Sequence, residues 1–250
     1  MKTKKVVFMG SKEIGLVCLD HLIASQLKLD FEIVGVLTNN RALGVQEGSI
    51  SESAQKIGIP ILKDLDEFIK IPEVDIVISV QYHQILKRFH LQKASQFNIN
   101  LHMAPLPEYR GCNQFSFAII NGDTEFGTSL HIIDEGIDSG PLIAEKRFEI
   151  PEYCFVDQLY ELTFRESVLL FENTLPAIIP GAFKPIPQNK TQKQKSEIHY
   201  RKEIEEIKQI DPNWPKEKIL SHVRATAMPS FSPPLMKMGN KTIKFLVEDA

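Results

Sequence analysis

Short, β-branched apolar runs alternate with stretches of helical spacing from Val6 to Ile179. The runs at 6–9, 31–38, 60–62, 74–80, 97–101, 127–133 and 142–150 predict strands. The run at 74–80 is almost continuously apolar, which is typical of a strand covered by helices on both faces. Because strands and helices alternate, the pattern predicts an α/β domain with an open, twisted, mostly parallel sheet.

A change of pattern near residue 182 predicts a domain boundary. The amphipathic spacing of Val156 to Ile179 predicts a long helix that ends at Pro180-Gly181. From Pro185 to Glu197 the chain is rich in Lys, Gln and Pro, as linkers and exposed loops are. After it we expect a helix from 214 to 225, a proline-aromatic loop at 229–234 and a strand from Thr242 to Val247. The predicted division is a domain over 1–182 and a small C-terminal region over 183–250.

Composition narrows the classes of protein that fit this pattern. With 43% hydrophobic and 24% charged residues the chain should fold into a globular core. A net charge of −3, with both signs interspersed, argues against a nucleic-acid partner. Three cysteines without metal-ligand spacing support neither a disulfide framework nor a zinc site. No signal sequence or membrane span is evident, so we expect a cytoplasmic protein.

Three polar residues at the ends of two predicted strands are the candidates for chemistry. His102 is the leading general acid or base, because an unperturbed imidazole titrates near neutral pH. Asn100 shares its face of the strand and could stabilise an oxyanion, while Asp138 could orient the imidazole. Taken singly, His102 is more typical of an ordinary loop residue than of a catalyst. Asp138 alone is more typical of a turn capped by Asp and Ser side chains. Their grouping favours an active site.

Two other segments carry weaker signals. Gly10 to Gly15 lacks the three-glycine spacing of a dinucleotide site, so a tight turn explains it equally well and a dehydrogenase is a poor alternative. Gln81 to Leu86 leaves the most apolar strand and could line a pocket for a flat heterocycle. Ordinary helix packing is the alternative there.

At these motifs the chain resembles the folate-dependent formyltransferase family, which includes glycinamide ribonucleotide transformylase and methionyl-tRNA formyltransferase. Asn100-Leu101-His102 resembles the family's Asn-x-His motif, and Asp134 to Gly140 resembles its Asp-rich loop. The resemblance spans roughly residues 6–179. It implies a Rossmann-like domain, 10-formyltetrahydrofolate as formyl donor, no metal, and Asn100, His102 and Asp138 as catalytic residues. It further implies that the pterin is held by Gln84, Ile85, Leu86, Asp134, Glu135 and Gly136.

Within that family, residues 105–116 resemble enzymes that formylate the amine of a nucleotide-linked dideoxy aminosugar. The implied acceptor is a dTDP-linked 4-amino-4,6-dideoxysugar or a 3-amino isomer, with a role in lipopolysaccharide O-antigen biosynthesis. The short tail favours this branch, since methionyl-tRNA enzymes carry a longer C-terminal barrel. The implied substrate-binding residues are Met103, Pro105, Tyr109, Arg110, Gly111, Asn113, Arg201, Arg224 and Phe231.

The tail residues have separate expected roles. Phe231 is expected to stack on the nucleotide base, whereas Arg201, Lys202 and Arg224 are expected near the diphosphate on the basis of charge. Exposed surface cations are the alternative for all three. Apolar residues from Ile243 to Val247 could pair with a second subunit, so we expect a homodimer.

In the expected reaction the sugar amine attacks the formyl carbon. Asn100 and His102 stabilise the oxyanion, and His102 with Asp138 takes the proton that leaves the amine. Two alternatives stay open. One is formyl transfer to methionyl-tRNA or to a purine precursor, and the other is a non-catalytic module that binds folate or a nucleotide sugar.

Overall fold

The computed structural model describes residues 2–39, 49–188 and 198–248. Its strands are β1 (Lys4–Gly10), β2 (Phe31–Thr38), β3 (Ile61–Leu62), β4 (Ile76–Val80), β5 (Phe97–His102), β6 (Arg110–Gly111), β7 (Glu125–Ile132), β8 (Leu142–Glu149), β9 (Ile198–His199), β10 (Gln209–Ile210), β11 (Leu235–Met238) and β12 (Lys241–Lys244). Its helices are α1 (Lys12–Leu29), α2 (Ile50–Lys56), α3 (Leu65–Lys70), α4 (Arg88–Leu91), α5 (Gln114–Asn121), α6 (Val156–Ile178), α7 (Glu203–Ile207) and α8 (Lys216–Thr226).

The central sheet confirms the predicted α/β fold with a mostly parallel sheet. Its seven strands lie in the order β3-β2-β1-β4-β5-β7-β8. The first five strands are parallel, whereas β7 runs antiparallel to β5 and β8 antiparallel to β7. The last pair is a hairpin because residues 133–141 join β7 to β8 as a loop, and only a longer crossover would allow a parallel pair.

Apolar side chains cover both faces of the sheet. Successive residues of a strand face opposite sides, so Phe8 packs in one cluster and Met9 in another. The first cluster lies against α1 and α6 and includes Leu19, Leu22, Phe171 and Leu175. The second includes Val77, Phe68 and Leu86. With both faces covered, the strand ends and their loops are where polar side chains can gather.

The long helix α6 confirms the predicted amphipathic segment. Its buried residues recur every three or four positions and are Val156, Leu159, Thr163, Ser167, Phe171, Leu175 and Ile178. Pro176 lies in the last turn, and the chain leaves the helix at the predicted Pro180-Gly181. The helix therefore ends where a residue without an N–H and a flexible glycine follow.

The C-terminal region contains the predicted helix and a small sheet of β10, β11 and β12. The expected strand from Thr242 to Val247 ends early, at Lys244. Its partner β11 begins directly after Pro233-Pro234, and a proline has no N–H with which to extend the ladder. Ala225 of α8 packs in one cluster with Tyr109 and Leu159, so the C-terminal region contacts residues of the preceding part of the chain. The later part of the expected linker, 189–197, lies outside the described residues.

Candidate active site

The strand pairing of β5 with β7 gathers the polar residues at one end of the sheet. Asn100 and His102 lie two residues apart on β5 and therefore share a face. His131 of β7 is the direct partner of Asn100 in the ladder. Asp138 follows in the loop between β7 and β8. The three predicted catalytic residues are thus brought together with a second histidine.

The four side chains form one connected group. Nδ1 of His102 lies 3.7 Å from Oδ2 of Asp138, and Nε2 of His131 lies 3.5 Å from Oδ1 of the same carboxylate. The amide nitrogen of Asn100 lies 3.2 Å from Nε2 of His131. The sequence reasoning missed His131. Its one signal in the sequence is a histidine inside an apolar strand run, two residues before that run ends.

Backbone contacts decide which nitrogen of His102 exchanges a proton. Nε2 lies 2.7 Å from the carbonyl oxygen of Tyr109. A carbonyl oxygen only accepts, so this nitrogen carries a hydrogen. Nδ1 is then the nitrogen that gains or loses a proton, and it faces Asp138. The imidazole is 6% exposed, so the ring is held in this orientation by its surroundings.

The same reasoning applies to His131. In the neutral ring, Nδ1 donates to the carbonyl oxygen of Ile132 at 2.8 Å and Nε2 accepts from the Asn100 amide. In the protonated ring, Nε2 also carries a hydrogen and faces Oδ1 of Asp138 at 3.5 Å. A carboxamide nitrogen carries two hydrogens, so the bond to His131 leaves one for a substrate oxygen. His131 therefore orients the side chain of Asn100.

Asp138 is positioned by its backbone as well as by its neighbours. Its φ of 47° is left-handed, and its Oδ2 accepts the backbone N–H of Gly111 at 2.9 Å. Burial favours the neutral acid, but the charge of His102, the contact with His131 and the Gly111 N–H outweigh it. They hold the pKa of Asp138 well below its usual range. The carboxylate is therefore ionised at every physiological pH.

Hydrogen bonds fix the two loops that flank the catalytic group. Thr128 Oγ1 donates to the His102 carbonyl oxygen at 3.0 Å, and Ser129 Oγ donates to that of Ala104 at 2.9 Å. Gln188 Nε2 donates to the carbonyl oxygens of Asp138 and Gly140 at 2.9 and 2.7 Å. Gln188 is a second residue that the sequence reasoning did not single out.

Several of the residues expected to bind the substrate have buried side chains. The side chains of Met103, Pro105 and Tyr109 are buried. The Tyr109 hydroxyl donates to Asp123, so the part of Tyr109 that reaches His102 is its carbonyl group. Arg110 Nε donates to the Ile137 carbonyl oxygen at 2.7 Å, next to Asp138.

The predicted cofactor residues divide into exposed and buried ones. Gln84 is exposed and Ile85 is 76% exposed, whereas Leu86 is 7% exposed and packs into the core. Asp134 accepts from the Gly136 N–H at 3.0 Å and from the Ser139 hydroxyl at 2.6 Å, which makes it a turn-capping residue. Across the two loops, Arg88 Nε lies 3.4 Å from Oε1 of Glu135. This ion pair joins the segment after β4 to the loop between β7 and β8.

The loop after β1 is tied to the loop after β4. The Ser11 hydroxyl donates to the Gln81 carbonyl oxygen, and Lys12 Nζ donates to Oε1 of Gln81 at 2.8 Å. Burial lowers the pKa of Lys12, and the charge of Arg201 lowers it further. Arg201, one of the residues expected near a diphosphate, is thus close to the end of β1.

The remaining tail residues lie elsewhere. Arg224 Nη1 donates to the Cys154 carbonyl oxygen at 3.2 Å and lines a separate cleft of about 250 Å³ with Asp123 and Tyr153. Lys202 is exposed, and Phe231 is 52% exposed. Within the described ranges, the recorded contacts join neither Arg224 nor Phe231 to the catalytic group.

The described parts of the chain form neither a metal-binding cluster nor a membrane-spanning helix. No group of three or more His, Cys, Asp or Glu side chains is arranged to hold a metal ion there. No helix in those parts is both long and apolar enough to cross a bilayer.

Comparison with known proteins places this geometry in a family. Residues 4–171 match the model of the formyl transferase domain. The chain belongs to the formyl transferase family. Its matched segment contains Asn100, His102, His131 and Asp138.

Individual members of the family resemble this chain to different extents. A methionyl-tRNA formyltransferase from Bacillus cytotoxicus is 28% identical over 234 residues, which are 88% of this chain and 71% of that protein. The sugar 3N-formyltransferase WlaRD, solved with dTDP and 5-N-formyl-THF, superposes with a TM-score of 0.79 at 26% identity, over 96% of this chain and 85% of that one. A 4-N formyltransferase from Francisella tularensis superposes with a TM-score of 0.82 at 18% identity, over 99% of this chain and 98% of that one.

Proposed function

We propose that this protein transfers the formyl group of 10-formyltetrahydrofolate to the amine of a dTDP-linked 4-amino-4,6-dideoxysugar or a 3-amino isomer. The observation that carries the proposal is the group of Asn100, His102 and Asp138 at the end of the sheet. An amide donor, an ionisable imidazole and an ionised carboxylate lie in one connected cluster. Acyl transfer to an amine requires these three capabilities.

The loops beside this group fit a folate donor. Ile85 offers an exposed apolar side chain, and Gln84 is exposed next to it. The turn at 134–136 is joined to this segment by the ion pair of Arg88 with Glu135. A flat heterocycle suits a narrow cleft with an apolar wall and a few polar backbone groups. We expect Leu86 to support this wall from beneath, because its side chain is buried.

The acceptor amine must be neutral to attack the formyl carbon. The attack places negative charge on the formyl oxygen, and the second amide hydrogen of Asn100 is oriented by His131 to meet it. Nδ1 of His102, with the ionised Asp138 beside it, accepts the one proton that leaves the amine. It returns this proton to the folate nitrogen as the bond between that nitrogen and the formyl carbon breaks, so that tetrahydrofolate is released. Nε2 of His102 stays bonded to the Tyr109 carbonyl throughout.

The choice of a nucleotide sugar is supported by the likeness to sugar N-formyltransferases. The superpositions with WlaRD and the Francisella enzyme cover 96% and 99% of this chain, so they include much of its C-terminal region. Phe231 and Arg201 of that region are exposed and are our candidates for the base and the diphosphate. Methionyl-tRNA is the second candidate acceptor, since relatives with that name share 28% identity.

A panel of acceptors tests the proposal. The purified protein and 10-formyltetrahydrofolate are combined with dTDP-linked 3-amino and 4-amino sugars, the matching UDP sugars, methionyl-tRNA and glycinamide ribonucleotide. Formylation of one dTDP aminosugar with the highest kcat/KM is the expected result. A higher kcat/KM for methionyl-tRNA or for the purine precursor would replace the proposed acceptor.

A further inference from the structure

The C-terminal segment 198–203 is connected to the catalytic site through the backbone of Gly111. Among the recorded contacts to the Asp138 carboxylate, that of the Gly111 N–H is the shortest, at 2.9 Å to Oδ2. That oxygen is also the one that faces Nδ1 of His102. The position of Gly111 therefore helps to set the distance between Asp138 and His102.

Gly111 is in turn paired with this segment. Strand β6 runs parallel to β9, with Arg110 opposite Ile198 and Gly111 opposite His199. The Cys112 N–H donates to the His199 carbonyl oxygen at 2.8 Å. Gly111 has a φ of 86°, and a Cβ on it would overlap that carbonyl oxygen. Only glycine allows the two strands to approach so closely.

The segment is anchored to the first domain at two points. The ring of His199 stacks on Phe117 of α5, with centroids 3.6 Å apart and planes at 13°. Asn113 Nδ2 donates to the Tyr200 carbonyl oxygen at 2.9 Å. Glu203 closes the segment on itself, because its carboxylate lies 2.9 Å from His199 Nδ1 and accepts the Tyr200 N–H at 2.6 Å.

We propose that residues 198–203 are a positioning element of the active site, in which the stack of His199 on Phe117 holds β9 against Gly111 and thereby holds Asp138 beside His102. The catalytic consequence rests on the proposed function, whereas the structural consequence does not. Nothing in this role requires the segment to touch a substrate. His199 is a positioning residue that acts through Gly111 and Asp138.

The test compares four single variants. His199→Ala and Asn113→Ala each remove one anchor, and His199→Phe keeps an aromatic ring for the stack. Glu206→Ala is the matched control, because Glu206 is exposed on α7 in the same part of the chain. Circular dichroism and thermal unfolding show which variants are folded before any rate is compared.

Kinetics and amide exchange are measured on each variant. In His199→Ala and Asn113→Ala we expect kcat to fall by up to about 10²-fold with little change in either KM, because misplacement of a catalytic group by 1 Å has that effect. Hydrogen exchange at Gly111 and Cys112 should become faster. His199→Phe and Glu206→Ala should behave as the wild type.

Hydrogen exchange separates this proposal from the proposed function. If no acceptor is formylated, the function has failed, and faster exchange at Gly111 in His199→Ala still supports the anchor. Unchanged exchange and an unchanged kcat in both anchor variants would overturn the proposal. An equal loss in His199→Phe and His199→Ala would overturn the stack on Phe117 as the anchor.

Discussion

At the scale of single residues, the chemistry depends on one carboxylate held between two imidazoles. The Asp138 oxygens lie 3.7 Å from His102 and 3.5 Å from His131. The backbone carbonyls at Tyr109 and Ile132 fix one nitrogen of each ring, so the other nitrogens face the carboxylate. We therefore predict that these backbone hydrogen bonds direct proton transfer in this group.

Removal of either catalytic side chain should abolish most turnover without unfolding the protein. For His102→Ala and Asp138→Ala we expect kcat to fall by about 10²–10⁴-fold, the usual effect of a positioned acid or base. His21→Ala is the control, because His21 lies on α1 and pairs with Glu172. Circular dichroism checks the fold and formyl transfer to the preferred acceptor checks the rate. A near-normal rate in either catalytic variant would remove that residue from the mechanism.

The lowered pKa of Asp138 also predicts how stability depends on pH. A carboxyl group whose folded pKa lies below its ordinary value near 3.8 stabilises the protein above that value and loses this contribution as the pH falls through the folded pKa. Asp138→Asn should therefore unfold at lower urea than the wild type at neutral pH. The difference should shrink in acid.

Urea titrations over a range of pH make this measurement, with Glu206→Gln as an exposed control. A difference between Asp138→Asn and the wild type that stays constant from neutral pH into acid would contradict the account. It would mean that the carboxylate gains nothing from its neighbours in the folded state.

Sequence reasoning found Asn100, His102 and Asp138 because two short motifs carry them. It missed His131, because nothing in a strand run shows which residue lies opposite Asn100 in the neighbouring strand. Leu86 and Ile85 were both expected to hold the pterin, although Leu86 is buried and Ile85 is exposed. Adjacent residues in an irregular loop have no fixed period from which their burial follows.

At the scale of elements, the loop after β4 offers a matched pair of substitutions. Ile85 is 76% exposed on the proposed folate cleft, and Leu86 is 7% exposed in the core. Ile85→Ala should raise the KM for the formyl donor and leave thermal stability unchanged. Leu86→Ala should lower the free energy of unfolding by about 2–5 kcal/mol, as for other buried leucines. Equal effects of the two changes on KM and stability would show that the loop is not divided in this way.

The long elements were predictable because each carries its own pattern. Helix α6 and strand β4 show the periods expected of an amphipathic helix and a strand covered on both faces. The pairing of β6 with β9 was not predictable, since each has two residues and they lie far apart in the chain. Such short strands are fixed by tertiary contacts, here those of His199 and Asn113.

At the scale of the whole molecule, an apolar hairpin is exposed at the C-terminal end. Met238, Ile243, Leu246 and Val247 are between 42% and 75% exposed in and after β11 and β12. Within the described residues, β12 pairs with β11 alone, so its other edge is open. An open apolar edge favours pairing with a second chain. We therefore expect a homodimer that associates through this hairpin.

Light scattering after size exclusion tests the dimer. Ile243→Asp should shift the protein toward the monomer, because it places a charge on the apolar face. Thr242→Asp is the matched control, since neighbouring residues of a strand face opposite sides. A monomeric wild type, or the same mass for both variants, would contradict the proposed interface.

We propose that the cluster of Asn100, His102 and Asp138 moves a formyl group onto a nucleotide aminosugar. The most direct measurement follows an isotopically labelled formyl group by NMR, from 10-formyltetrahydrofolate to a dTDP-linked 4-amino-4,6-dideoxysugar. We expect a labelled formamide with the wild type and almost none with Asp138→Asn over the same period. Label that stays on the folate, or that appears only on methionyl-tRNA, would contradict the account.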